Sequence, residues 1–353
     1  MDEIVAEPVA VLRGHAAEVT SARFAPADAA WTDSTGQPLL LSASMDGEVR
    51  IWSVHTRRMF TSIMAHPGKS VLTVSAIADR KVLSQGRDGF VRIWDVTSGA
   101  LSGPLAELPS KSYNFCQAAC SAAVQLTGQE GSDCPAKPPL IAMASEDAME
   151  LTVWDLRQRT CAMHFIPARR EEHVKGEGKS GMCMCARFAR DDTALLSGWE
   201  DGSLQVFDLR APGAPPRTRQ RIHTESMLCL DMDAAGEHAL TGAADRKLCV
   251  TPIAPDGTPG EQSAQLPIPI TTVSSGSGGL QTVCMRPDGR VFAAGGWDHR
   301  VRVWQWRKLK PLAVLKQHTG TVNAVTYSPC SRWLASASAD GTIALWNLFP
   351  PKT

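Results

Sequence analysis

The sequence predicts an all-β fold, a seven-bladed propeller of four-stranded antiparallel sheets formed as a single domain over residues 1–353. Three observations predict it. A fixed step from Asp to Trp recurs along the chain, residues inside that step alternate with the period of a strand, and the two ends of the chain carry matching apolar segments.

The step is six residues long in Asp46-Gly-Glu-Val-Arg-Ile-Trp52, Asp88-Gly-Phe-Val-Arg-Ile-Trp94, Asp298-His-Arg-Val-Arg-Val-Trp304 and Asp340-Gly-Thr-Ile-Ala-Leu-Trp346. Degenerate copies run from Asp201 to Phe207, from Asp245 to Thr251, and from Asp147 to Trp154 with one extra residue. Seven repeats result. Positions 52 and 346 set an average of 49 residues per repeat, close to the ~40–45 of a four-stranded blade plus insertions. Val91 and Ile93 alternate with Arg92 and Trp94, so the step ends in a two-faced strand rather than a helix.

Counting back 22 residues from Asp88, Asp245 and Asp340 reaches His66, His223 and His318, while an insertion places His15 further ahead of Asp46. Counting back four reaches Ser42, Ser84, Ser197, Thr241 and Ser336. A His, a hydroxyl, an Asp and an indole N–H in fixed register can form one buried hydrogen-bonded chain. Complete sets are expected in repeats 1 (His15, Ser42, Asp46, Trp52), 2 (His66, Ser84, Asp88, Trp94) and 7 (His318, Ser336, Asp340, Trp346). Repeat 5 ends at Thr251, so Asp245 is expected to contribute less than Asp88 or Asp340. Repeats 3, 4 and 6 lack the His, and repeat 6 has Ala294 at the hydroxyl position, so apolar packing is expected to dominate there. Because the Ser, His and Asp recur in separate repeats, they read as scaffold and not as a hydrolase triad.

Closure follows from the ends. The chain stops just after the third strand of repeat 7, and Pro8-Val-Ala-Val-Leu12 matches Pro311-Leu-Ala-Val-Leu315, so the N-terminal strand is expected to supply the missing outer strand and close the ring. Insertions at 26–38, 127–139, 211–217 and 254–262 fall in connections on the bottom, those at 167–181 and 267–279 on the top.

Composition narrows the function classes. With 36 Lys and Arg against 36 Asp and Glu, no global field draws the protein to nucleic acid or membrane. The acidic start has no basic or apolar leader pattern, which predicts residence in nucleus and cytoplasm. Ten scattered cysteines without a CxxC pair read as reduced core thiols. Gly176-Glu-Gly-Lys-Ser-Gly181 matches a nucleotide-loop pattern, but a strand and not a helix follows it. Cys183 and Cys185 lack a partner pair at ligand spacing, so no metal and no cofactor is expected, and no catalytic constellation remains. Arg210, Arg217, Arg219 and Arg221 form a basic segment that reads as a solvated strand and loop, so nucleic acid is not an expected partner. The Asp-bearing turns offer a top-face protein-binding surface: Arg87, Trp199, Glu200, Trp297, His299 and Arg300.

The Asp-to-Trp repeats with their His and Ser identify the chain as similar to the WD40 family. Within it, Ser84-Gln-Gly-Arg-Asp-Gly-Phe-Val-Arg-Ile-Trp-Asp95, Gly295-Gly-Trp-Asp-His-Arg-Val-Arg-Val-Trp304, Pro311-Leu-Ala-Val-Leu315 and Leu345-Trp-Asn-Leu-Phe-Pro350 resemble the guanine nucleotide-binding protein subunit beta-like protein 1, or ASTRA-associated protein 1, family. The resemblance implies a non-enzymatic scaffold subunit, a monomeric propeller within a larger complex. That complex would be the ASTRA assembly, working with the Triple-T cochaperone on phosphatidylinositol-3-kinase-related kinases, with links to chromatin and DNA-damage signalling. A true G-protein beta subunit would carry a long coiled-coil helix ahead of the propeller, and about a dozen residues precede His15. An alternative comes from Trp154-Asp155-Leu156-Arg157, which reproduces the Trp-Asp-x-Arg box of cullin-4 ubiquitin ligase substrate receptors.

Overall fold

A computed structural model describes residues 6–77, 80–97, 103–121, 139–147, 149–166, 181–189, 191–233, 235–254, 259–260, 264–267 and 278–351. Seven four-stranded antiparallel sheets fill it, the seven-bladed propeller that the repeat predicts. The inserted segments 127–138, 167–180 and 268–277, the start of the nucleotide-loop pattern and Cys134 lie outside the described residues.

The chain divides into two compact units. The first holds four blades. Blade 1 is built from β2 (Val19–Phe24), β3 (Leu39–Ser44), β4 (Glu48–Ser53) and β5 (Arg58–Met64), and blade 2 from β6 (Val71–Ile77), β7 (Lys81–Gly86), β8 (Phe90–Asp95) and β9 (Ala106–Pro109). Blade 6 is β22 (Leu280–Met285), β23 (Val291–Gly296), β24 (Val301–Gln305) and β25 (Lys310–Leu315). Blade 7 is β26 (Val322–Tyr327), β27 (Leu334–Ser338), β28 (Ile343–Trp346) and β1 (Ala10–Leu12). The N-terminal strand is therefore the outer strand of blade 7, with Ala10 opposite Leu345 and Leu12 opposite Ile343.

The second unit holds three blades. Blade 3 is β10 (Ala119–Cys120), β11 (Leu140–Ala144), β12 (Leu151–Asp155) and β13 (Thr160–Phe165), and blade 4 is β14 (Cys183–Phe188), β15 (Ala194–Trp199), β16 (Ser203–Asp208) and β17 (Thr218–Arg221). Blade 5 is β18 (Met227–Met232), β19 (His238–Ala243), β20 (Lys247–Pro252) and β21 (Ala264–Pro267).

Central strands such as β3 and β15 are buried on both faces, which explains their unbroken apolar and small-residue sequences. Facing blades share one core: Leu39, Leu41 and Ile51 of blade 1 pack with Val74, Val82 and Trp94 of blade 2. The insertion at 26–38 is pinned into that core by Trp31, which is fully buried and donates its indole N–H to the Ile77 carbonyl at 2.7 Å. A bulge recurs at one place in six inner strands, as at Val19/Ser21, Cys183/Cys185 and Val322/Ala324. A second bulge falls just before Trp52, Trp154 and Trp304, where the strand must be re-aimed.

Candidate functional site

The buried polar chains come first because they fix the turns that any binding surface is made of. In blade 2 the Trp94 indole donates to Ser84 Oγ at 3.0 Å, Ser84 lies 2.9 Å from His66 Nε2, and His66 Nδ1 lies 3.0 Å from Asp88. Blade 7 repeats this through Trp346, Ser336, His318 and Asp340 at 3.0, 2.8 and 3.0 Å. One proton arrangement satisfies every member: indole to hydroxyl, hydroxyl to Nε2, and Nδ1–H to carboxylate, with a neutral imidazole. Burial holds His66, His223 and His318 below their usual pKa despite the facing Asp, which agrees with that neutral form. Burial acts to raise Asp88, and it is outweighed by hydrogen bonds from His66 and Arg92, so that carboxyl lies low.

Two expectations about these chains need correction. In blade 1 Ser42 joins His15 at 2.7 Å and Trp52 at 2.8 Å, but Asp46 accepts from the Glu48 backbone and does not reach His15. His15 Nδ1 is buried without a hydrogen-bond partner. Glu48 and Arg50 explain the difference. Arg50 donates to Glu48 at 2.8 Å and crowds Gly14, and burial together with this guanidinium lowers His15 to about 4. The group His15, Asp46 and Glu48 has ligand-type atoms close together, yet the fixed cation of Arg50 beside it opposes a metal ion. The second correction concerns blade 5. It lacks the indole, but His223 bridges Thr241 at 2.8 Å and Asp245 at 3.1 Å, and the Asp245 side chain is only 3% exposed against 18% for Asp88 and 12% for Asp340. Asp245 is thus as deeply engaged as the other two.

Blade 4 satisfies its buried hydroxyl differently. Trp199, expected on the top face, is fully buried, and its indole donates to Ser197 Oγ at 2.8 Å. Its position, two residues before the turn Asp, is Gly86 in blade 2, where a Cβ would lie 2.1 Å from His66 Nδ1. His and a large residue at this position exclude one another. With Phe207 at the repeat's Trp position, it is the Trp199 indole that supplies the N–H to this hydroxyl, whose own hydrogen goes to the Gln205 carbonyl at 3.4 Å. Blade 3 turns Trp154 onto Thr152 of its own strand at 3.2 Å, and blade 6, with Ala294, stacks Trp304 on Phe292 at 5.2 Å between ring centroids. Packing of the kind expected for blade 4 is present too, with Phe207 against Phe165 at 5.3 Å.

The remaining turn residues have three fates. Arg87 and Glu200 are exposed, and Glu200 accepts from the Met182 backbone N–H. Trp297, His299 and Arg300 are half-buried; the Trp297 indole donates to Gln281 at 2.9 Å, and His299 takes a positive φ of 66° after Asp298. Asp298 itself is buried in an ion pair with Arg302 at 2.6 Å. On the opposite side of blade 3, Asp155 is buried and caps the Arg157 backbone N–H at 2.8 Å, Trp154 is half-buried and Arg157 is exposed.

The basic segment is neutralised at home. Arg210 and Arg217 both bind Asp208, Arg219 binds Asp201, and Arg221 donates to the carbonyls of His223 and Thr224. Sequence reasoning missed two exposed aromatics, Tyr113 and Phe115, at 56% and 60%. They occupy the connection before β10 in which blades 2, 5 and 7 place their His, and the Lys111–Glu146 ion pair ties this connection to the Asp147 turn beside the exposed Met149. Two aromatics in an otherwise polar loop were the available signal. Cys116 and Cys183 lie 3.8 Å apart, fully buried.

A family profile described as "WD domain, G-beta repeat" matches residues 6–53, 268–305 and 309–347. The mouse guanine nucleotide-binding protein subunit beta-like protein 1 is 30% identical over 347 residues, covering 97% of this chain and 96% of that protein. ASTRA-associated protein 1 of Verticillium alfalfae is 28% identical over 235 residues, 55% of this chain and 57% of its own. The Schizosaccharomyces pombe protein of that name is 28% identical over 184 residues, 49% of each chain. The chain thus spans about half the length of these fungal relatives and nearly all of the mouse one.

Proposed function

Since the chain belongs to the WD40-repeat family of guanine nucleotide-binding protein subunit beta-like protein 1, we propose that it is a non-enzymatic scaffold that works by binding other proteins within an ASTRA-type assembly. The observation that carries this reading is the end-to-end match to a WD40 relative, joined by fungal relatives whose name associates them with ASTRA. The finer reading is that it assists the Triple-T cochaperone in maturing phosphatidylinositol-3-kinase-related kinases, in nucleus and cytoplasm, with a link to chromatin and DNA-damage signalling.

The binding surface we assign is the side of the blades bearing the Asp turns. In the four-blade unit it includes Arg87, Trp297, His299 and Arg300, and in the three-blade unit Glu200, Tyr113 and Phe115. Trp199 is removed from it by its burial. Exposed aromatics and arginines are the side chains that most often anchor partners, and truncating one such anchor costs about 2 kcal/mol or more, roughly thirtyfold in affinity.

Affinity purification with mass spectrometry tests the reading. Triple-T subunits should co-purify with the wild-type protein and be depleted by Tyr113→Ala with Phe115→Ala, or by Arg87→Ala, at unchanged melting temperature. Recovery of a cullin-4 adaptor instead, lost on Arg157→Ala, would replace this reading by the ligase-receptor one.

A further inference from the structure

Outer strands of the blades have one edge paired and one open, and most of those described keep large apolar side chains off the exposed positions. In β9 the exposed residues are Glu107 and Pro109, and in β25 they are Lys310 and Pro311. The outer strand of blade 1 departs from this. β5 exposes Met59, Phe60 and Met64 at 47, 51 and 54%, three in one strand, whereas Val9 before β1, Leu105 before β9 and Ile166 after β13 are single exposed apolar side chains. Its pairing with β4 uses one edge only, since β5 is terminal in its sheet. An open edge is a template for strand pairing, and proteins usually blunt it with charge or Pro. Here the edge carries a charge only at its start, at Arg58, and a bulge at Phe60, and its other exposed positions, Met59 and Met64, are apolar.

The charge around it has one sign. His55, Thr56, Arg57 and Arg58 run exposed into the strand without an acidic residue, and among the described residues no carboxylate pairs with either arginine. Arg80 adds a third guanidinium, 5.8 Å from the Phe60 ring centroid, and its Nε is held by the Ala30 carbonyl at 2.6 Å. Apolar side chains along the strand and uncompensated cations at its start together specify what fits: an extended segment, apolar on alternate positions and acidic at one end.

We propose that β5 is a docking edge at which a partner protein adds a fifth strand to blade 1, its acidic end over Arg57 and Arg58 and its apolar side chains on Met59, Phe60 and Met64. Main-chain hydrogen bonds would supply affinity and the side-chain pattern selectivity, as in other strand-addition complexes. This surface is separate from the Asp turns and does not depend on the function proposed above.

Fluorescence anisotropy on the full chain tests it with two labelled heptapeptides, Glu-Asp-Ile-Thr-Val-Thr-Val and the same peptide beginning Lys-Lys. The acidic peptide should bind at least tenfold more tightly than the basic one and weaken with added salt. Phe60→Ala, and separately Arg57→Glu with Arg58→Glu, should each weaken it about tenfold or more while the melting temperature holds, because all three side chains are exposed. Arg87→Ala and Tyr113→Ala should leave it unchanged, which separates this proposal from the turn surface. Equal binding of the two peptides, no binding of either at millimolar concentration, or insensitivity to the β5 variants would overturn it. So would a dimer in light scattering that Met59→Lys dissolves, since the edge would then serve a second copy.

Discussion

The four-blade and three-blade units build the same sheets from different polar chemistry. In the first, neighbouring inner strands are stitched by hydroxyls and an amide: Thr20 donates to the Val71 carbonyl, Asn323 to that of Val19, and Thr282 accepts from the Val325 N–H. In the second, thiols take that place, with Cys116 against Cys183 and Cys185 directed at the Met227 carbonyl at 3.9 Å. Burial pushes Cys183, Cys185 and Cys229 well above the ordinary thiol pKa, so these groups stay protonated and weakly polar. The buried chains vary within both units, and blade 5 keeps His223, Thr241 and Asp245 without an indole. Blades 2 and 7 carry full four-member chains, whereas blade 4 reaches its Ser with Trp199 from another direction. A blade requires that the buried hydroxyl and turn be satisfied, and more than one residue set achieves it.

The largest test of that difference is exchange at the position that excludes either residue. Trp199→Ala should cost about 3–5 kcal/mol, as for a buried Trp, because it opens a cavity and leaves Ser197 Oγ with only its long contact to the Gln205 carbonyl at 3.4 Å. Gly86→Trp should be comparably damaging in blade 2, since its side chain would start 2.1 Å from His66. Chemical denaturation measures both. If Gly86→Trp is tolerated, the two solutions are not exclusive.

Next come the turn carboxylates. Asp88→Ala, Asp245→Ala and Asp340→Ala should each lower stability by about 1–3 kcal/mol, whereas Asp46→Ala should cost about 1 kcal/mol or less because His15 does not depend on it. Equal denaturation midpoints for all four would remove the distinction between blade 1 and the rest.

The pH dependence is a smaller and shared effect. His15, His66, His223 and His318 have folded pKa values below the unfolded one, so below about pH 6.5 the unfolded chain takes up protons first. Their stabilisation is complete above the unfolded value and is lost as pH falls from there toward the folded values, about 4 for His15. Melting temperature should therefore fall between pH 7 and 4, and replacing His15 by Gln should flatten part of the slope. A melting temperature flat across that range would contradict the neutral assignment.

Much of the fold was legible because its signals are local and repeated. The Asp-to-Trp step, the alternation within it and the match of Pro8–Leu12 to Pro311–Leu315 require no knowledge of tertiary contacts. What escaped depends on contacts between strands. Trp199 looks like a surface anchor because nothing local reveals that its indole turns inward to Ser197. The arginines at 217 and 219 look like part of a basic patch because Asp208 and Asp201 meet them only through the β16–β17 pairing. Asp46 resembles Asp88 in every local respect, and only the Glu48–Arg50 pair beside His15 sets it apart.

The central claim, that the Trp199 indole replaces the repeat's own Trp as the N–H donor to the buried hydroxyl of blade 4, reduces to the energy of one pair. A double-mutant cycle combining Trp199→Phe with Ser197→Ala measures it by chemical denaturation. The account predicts that each single variant loses about 1–2 kcal/mol and that the double variant loses little more than either, a coupling of about 1 kcal/mol. Strictly additive losses would contradict it, because the indole would then be filling space without serving Ser197.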